Sequence, residues 1–85
     1  GGEWVRAYIF IETKPGTSIE VAKRIKNKVK EVVQADAIYG RFDVIAIIEA
    51  PDLESVKEIL YNIIEKDPDI IHTETSLVLS HNPRE

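Results

Sequence analysis

Hydrophobic and polar residues alternate along this chain in two rhythms, one with the period of a strand and one with the period of a helix. The switches between them divide it into segments. The first segment, from Val5 to Glu12, is rich in β-branched and aromatic residues and is stopped by the turn signature Lys14-Pro15-Gly16. It predicts a strand. Thr17 and Glu20 then have the spacing of a capping box, and Val21, Ala22, Ile25, Val29, Val32 and Val33 recur at helical intervals. They predict a first helix, with Lys23, Arg24, Lys26, Lys28 and Lys30 as its basic, solvated face.

After Gln34 the pattern changes. Ala35 to Tyr39 reads as a short strand, Gly40-Arg41 as a tight connection, and Phe42 to Ala50 as a long strand, so a hairpin is expected here. Pro51-Asp52 punctuates the chain. Leu53, Val56, Ile59, Leu60, Ile63 and Ile64 then form the apolar stripe of a second helix, with Asp52 as its N-cap and Pro68 beyond its end. A last strand is expected from about Ile70 to Leu79, followed by a frayed tail from Ser80 to Glu85.

The predicted order is βαββαβ, the ferredoxin-like split arrangement of the α+β class. Right-handed crossovers put both helices on one face of a four-stranded antiparallel sheet, with the first and third strands in the centre. The other face is left bare. On the first strand Ile9 and Ile11 oppose Tyr8 and Phe10, and on the third Val44, Ala46 and Ile48 oppose Ile45 and Ile47. Helices can cover only one of these sets. At about 25 cal/mol per Å² of apolar surface, a wet second face forfeits several kcal/mol in a domain whose whole stability is about 5–15 kcal/mol. A second copy is the simplest cover, so a dimer paired through the open sheet face is expected.

Composition narrows the function classes. The 85 residues make one domain, 1–85, with a core from about Val5 to Leu79. With 44% hydrophobic and 31% charged residues the chain is of ordinary globular type. Eleven Lys and Arg against 15 Asp and Glu give a net charge of -4, which disfavours direct nucleic-acid binding. Cysteine is absent, which removes thiol catalysis, iron–sulfur ligation and disulfides. With no membrane-spanning run and no signal-peptide pattern, a cytoplasmic protein is expected. Its wealth of Ile, Lys and Glu, with no Met or Cys, leans toward a thermophilic source. Gly1-Gly2 and the lack of Met imply a processed form or a fragment.

Catalytic chemistry is hard to assemble from what remains. His72 and His81 are the only histidines, and neither has a carboxylate or second histidine at a spacing that suggests a metal site or triad. The serines lack a nucleophile-elbow context, and no Gly-rich loop is present to cradle a phosphate. An RNA platform needs paired aromatics on both central strands, and the third strand offers only Phe42, at its start. An acylphosphatase-like site needs an Arg where this chain has Thr13-Lys14-Pro15-Gly16. No catalytic residue, metal or cofactor is assigned, and the chain is expected not to be an enzyme. An enzyme of the dimeric α+β barrel type would need a polar residue between paired sheets, for which Asp43, His72 and Glu74 are the candidates.

Tyr39-Gly40-Arg41-Phe42-Asp43 is the most specific segment. Gly40 suits a tight hairpin, and Asp43 can accept backbone N–H bonds across it. The same residues carry a family resemblance. From about Val5 to Leu79 the chain resembles the C-terminal effector-binding (RAM) domain of the Lrp/AsnC transcription regulators. The G-x-[YF]-D signature is matched by Gly40, Arg41, Phe42 and Asp43, the apolar strand after it by Val44 to Glu49, and the final T-x-T and aliphatic run by Thr73, Glu74, Thr75 and Leu77 to Leu79.

The resemblance implies a βαββαβ protomer that dimerises through its sheet face, with dimers assembling further into rings. It also implies a small effector, usually an amino acid, bound between dimers near the hairpin. Carried over, the ligand-binding candidates are Tyr39, Gly40, Arg41, Phe42, Asp43, Thr73 and Thr75. Asp43 would face the ammonium group, and backbone N–H groups near Gly40 and Arg41 the carboxylate. Regulators of this family carry an N-terminal helix-turn-helix, and no such segment precedes Val5. The expected protein is thus an amino-acid-binding, oligomer-forming regulatory module that does not touch nucleic acid or membrane, whose further partners include full-length relatives. The alternatives are a purely structural oligomerisation domain that has lost effector binding, and the C-terminal fragment of a full-length regulator.

Overall fold

A computed structural model of the chain describes residues 4–84; Gly1, Gly2, Glu3 and Glu85, and the side chains of Ile64 and Glu65, lie outside that description. Strand β1 (Val5–Thr13) runs into the turn at Lys14, where the Thr17 N–H donates to the Lys14 carbonyl over 3.2 Å. Pro15 and Gly16 occupy the two central positions, and Gly16 has φ +80°, the left-handed conformation that a type II turn demands there. Helix α1 (Ser18–Lys28) follows. Its capping box does not form: the Thr17 hydroxyl is turned back to donate to the Lys14 carbonyl at 2.7 Å, so the side chain stabilises the turn rather than the helix end.

α1 also stops short of the run its valines suggest. The chain becomes extended at Val29 (φ -117°, ψ 109°), and Val32 and Val33 belong to strand β2 (Val32–Ala37). Val29, Val32 and Val33 have helical spacing, but β-branched side chains favour the pleated sheet, and here β3 supplies a partner strand. The switch is visible in burial, since Val32 is 2% exposed and its neighbour Val33 is 45% exposed.

Strand β3 (Val44–Ala50) returns antiparallel to β2, after a loop of residues 38–43 in place of a tight Gly40-Arg41 turn. The Ile38 N–H bonds the Asp43 carbonyl at 2.8 Å to close that loop. Gly40 does not take a left-handed conformation, and a Cβ there would meet nothing within 4 Å, so the hairpin itself does not require glycine. Helix α2 (Leu53–Lys66) is capped as its sequence suggests, with the Asp52 carboxylate accepting from the Ser55 N–H at 2.8 Å. Strand β4 (Ile70–Leu77) ends two residues before the expected Leu79, although the Val78 N–H still bonds the Arg6 carbonyl.

The sheet order is β2-β3-β1-β4, with every pair antiparallel and β1 and β3 central. Both helices lie on one face. Their residues Val21, Ala22, Ile25, Val56, Ile59 and Ile63 pack into the core with Ala7, Ile9 and Ile11 of β1 and Val44, Ala46, Ile48 and Ala50 of β3. This is the ferredoxin-like βαββαβ fold. Arg24 pins the helix layer together: its guanidinium donates to Asp67 at 2.8 and 2.9 Å and to Asp69 at 3.0 Å, tying α1 to the turn between α2 and β4. These bonds hold the Asp67 carboxyl below its usual range, against the opposite push of burial.

Candidate functional site

Among the described residues, no helix lies over the second face of the sheet. Register places Glu74, Phe10, Ile45 and Asp36 in one row across the four strands, and Ser76, Tyr8, Ile47 and Gln34 in the next. Tyr8, Phe10, Ile45 and Ile47 are half-buried, an apolar strip along the two central strands with polar residues on both edge strands. At one end of it Arg6 and Glu49, directly opposed in register, form a salt bridge, and the Arg6 Nη1 also lies 3.3 Å from the His81 Nδ1.

The hairpin is built onto the other end of this strip. The Asp43 N–H donates to the Ile11 carbonyl at 2.9 Å, which carries the line of β3 one residue past its first paired position. The Asp43 carboxylate does not bridge its own hairpin; its Oδ2 accepts from the Thr13 N–H at 2.9 Å, thereby fastening the loop to the end of β1. Phe42 lies against Phe10 with ring centroids 5.5 Å apart at a tilt of 42°, a favourable aromatic geometry. The Arg41 guanidinium carbon is 5.8 Å from the centre of the Phe42 ring. Arg41, Phe42 and Phe10 thus form one stack that joins the loop to the open face. Tyr39, fully exposed, and Gly40, also exposed, project from it.

Thr73 and Thr75 lie elsewhere. They pair with Ile11 and Ile9, so they belong to the helix-side face of β4, opposite to Phe10. β4 is also two strands away from β3, about 10 Å at ordinary strand spacing. Within one chain the hairpin residues come together, and the two threonines remain apart from them.

The open face also carries a polar group whose members, His72 and Glu74, are expected from the sequence as separate candidates and not as a pair. The His72 Nε2 lies 3.7 Å from the Glu74 Oε2, and His72 is paired in register with Glu12. The signal was present, because His72 and Glu74 are two apart on a strand and therefore share a face. Glu12 could not be added without knowing the β1–β4 register. Among the described residues, no group of three or more His, Cys, Asp or Glu is arranged to hold a metal ion.

A family model described as the Lrp/AsnC ligand binding domain matches residues 6–83. Among solved structures, a hypothetical protein from Pyrococcus horikoshii is 28% identical with a TM-score of 0.82, over 91% of this chain and 92% of that one. AsnC of E. coli is 22% identical with a TM-score of 0.81, over 95% of this chain but only 54% of its own length. A transcriptional regulator from Neisseria meningitidis, solved as a complex with L-Met, is 16% identical with a TM-score of 0.80, over 94% of this chain and 53% of its own. The chain thus spans about half the length of those two regulators. No curated protein matches it by sequence.

Proposed function

Since the chain belongs to the Lrp/AsnC ligand-binding domain family, we propose that it is an amino-acid-binding, oligomer-forming regulatory module of the cytoplasm that acts without contacting DNA through these residues. The observation that carries the reading is the continuity of the hairpin with the open sheet face. Phe42 packs on Phe10, and Phe10 heads the half-buried strip of Tyr8, Ile45 and Ile47. A second copy laid on that strip would remove it from water and would at the same time fix the loop that bears Gly40, Arg41 and Asp43. Assembly and ligand binding are therefore coupled through one aromatic contact.

The ligand chemistry follows from the loop. Asp43 uses Oδ2 for the Thr13 N–H, and its Oδ1 has lone pairs to offer an ammonium group. Exposed Arg41 and the backbone around Gly40 supply donors for a carboxylate. Thr73 and Thr75 reach the same ligand only from a different copy, which makes the complete site a property of the oligomer. The Neisseria regulator in complex with L-Met supports an amino acid as the class of ligand. Full-length relatives that share the sheet-face interface are the further partners. Among the described residues no helix is long and apolar enough to cross a membrane.

A thermal-shift screen of the standard amino acids at millimolar concentration tests this. A ligand at about 100 times its Kd stabilises the folded state by roughly 2.7 kcal/mol. A shift with one or two amino acids identifies the effector. No shift with any of them, from a protein that still sediments as an oligomer, leaves a purely structural assembly domain.

A further inference from the structure

The outer surface of the helix layer carries a groove that the reading above does not use. It lies between α1 and α2, has a volume of about 580 Å³, and is lined by Ile25, Val29 and Ile63 together with Lys28, Lys30 and Lys66. Ile25 and Ile63 are core residues and Val29 is half-buried, so the groove has an apolar base. The three lysines are exposed. Arg24 and Asp67 also line it, but they neutralise one another through the salt bridge that holds the helices together. Among the described lining residues Glu31 is the remaining carboxylate, and their balance is positive in a chain whose net charge is -4.

Local helix chemistry accounts for part of this. Lys28 and Lys66 stand in the last turns of α1 and α2, where a cation complements the helix dipole. Lys30 lies beyond α1 and has no such role, and the dipole does not call for an apolar base between the cations. That combination suits a ligand with apolar side chains on one face and carboxylates along its borders. A phosphate backbone would use the cations and leave the base unmatched. A free amino acid would fill little of the volume.

We propose that this interhelical groove docks an acidic, amphipathic segment of a partner protein, with leucine-like side chains over Ile25, Val29 and Ile63 and carboxylates against Lys28, Lys30 and Lys66. Pairing of copies through the opposite sheet face does not use the groove, so that contact and the partner do not compete.

Fluorescence anisotropy with a short labelled peptide of Glu and Leu, amphipathic at helical spacing, tests this on the whole chain. Binding is expected at low salt, should weaken as salt rises, and should fall about tenfold or more in a Lys28→Glu, Lys66→Glu protein. The milder Lys28→Gln, Lys66→Gln protein, with its fold checked by circular dichroism, should show an intermediate loss. A matching peptide of Lys and Leu should not bind. The proposal is overturned if the Glu/Leu peptide does not bind, if it binds the charge-reversed protein equally well, or if a DNA duplex displaces it at equal charge. It is also overturned if charge reversal changes the sedimenting mass, because the groove would then be a contact between copies. The amino-acid screen reads a different surface, so failure of either test leaves the other intact.

Discussion

The two faces of the central strands are built from the same residue types and meet different ends. On the helix side Ile9, Ile11, Val44, Ala46 and Ile48 are fully buried. On the open side Tyr8, Phe10, Ile45 and Ile47 are only half-buried, although three of the four are as apolar as anything in the core. The polar frame also differs. The helix side is tied at its margin by Arg24, Asp67 and Asp69, all within the fold, while the open side is bordered by Glu12, His72, Glu74 and Asp36 and closed at one end by Arg6 and Glu49. One face completes itself within the chain. The other is an apolar strip in a polar surround, the composition of a surface that another protein covers.

The sharpest contrast between the faces should be in stability. Ile9→Ala removes a side chain with no exposure and should cost about 2–5 kcal/mol in denaturant unfolding, whatever the protein concentration. Ile47→Ala should cost less in dilute solution and progressively more as concentration rises. Equal, concentration-independent losses would erase the distinction between the faces.

Next in size is the effect on assembly. Phe10→Asp places a charge at the centre of the strip and should leave the far-ultraviolet circular dichroism unchanged while reducing the mass seen in sedimentation to that of one protomer. An oligomer that survives this change must be held by another surface.

A smaller effect concerns acid. The Asp67 carboxyl is held below its unfolded value by Arg24, so its stabilisation is complete above about pH 4 and is lost as pH falls through the lower folded-state value. Asp67→Asn should therefore lower the melting temperature at neutral pH and flatten the acid limb of the stability profile. An unchanged acid limb would show that the helix-side salt bridge contributes nothing net.

The smallest change should come from Gly40→Ala. With an ordinary φ and no atom within 4 Å of a new Cβ, it should alter stability by no more than about 0.5 kcal/mol. A fall in amino-acid affinity on that background would mean that the glycine serves close approach of the ligand. Unchanged affinity would remove Gly40 from the site.

Much of the fold was legible in the sequence because it is written in local rhythm. Alternation in Val5–Thr13 and Val44–Ala50, the stripe of α2 with its Asp52 cap, and the turn at Pro15 and Gly16 are each decided by neighbours a few residues away. The sheet order and the bare face followed from that pattern and from the handedness of crossovers. Where the chain admitted two local readings, tertiary pairing chose. Val29, Val32 and Val33 fit a helix by spacing, and β3 drew the last two into β2. Thr17 fits a cap, and its hydroxyl went to Lys14 instead.

The candidate site divides in the same way. The sequence alone determined which residues share the hairpin, because Tyr39 to Asp43 are contiguous. Only the tertiary structure decided that Phe42 stacks on Phe10, that Asp43 is spent partly on the Thr13 N–H, and that Thr73 and Thr75 face the helix side of the sheet. Those outcomes depend on strand register, and register is set by which apolar face the helices bury. A shift of one residue would turn Phe10 inward and Ile9 outward, and no local signal in the sequence forbids it. Packing opposes it: Ile9, Ile11, Val44, Ala46 and Ile48 are the residues buried beneath α1 and α2, and the shift would bring the rings of Tyr8 and Phe10 there instead.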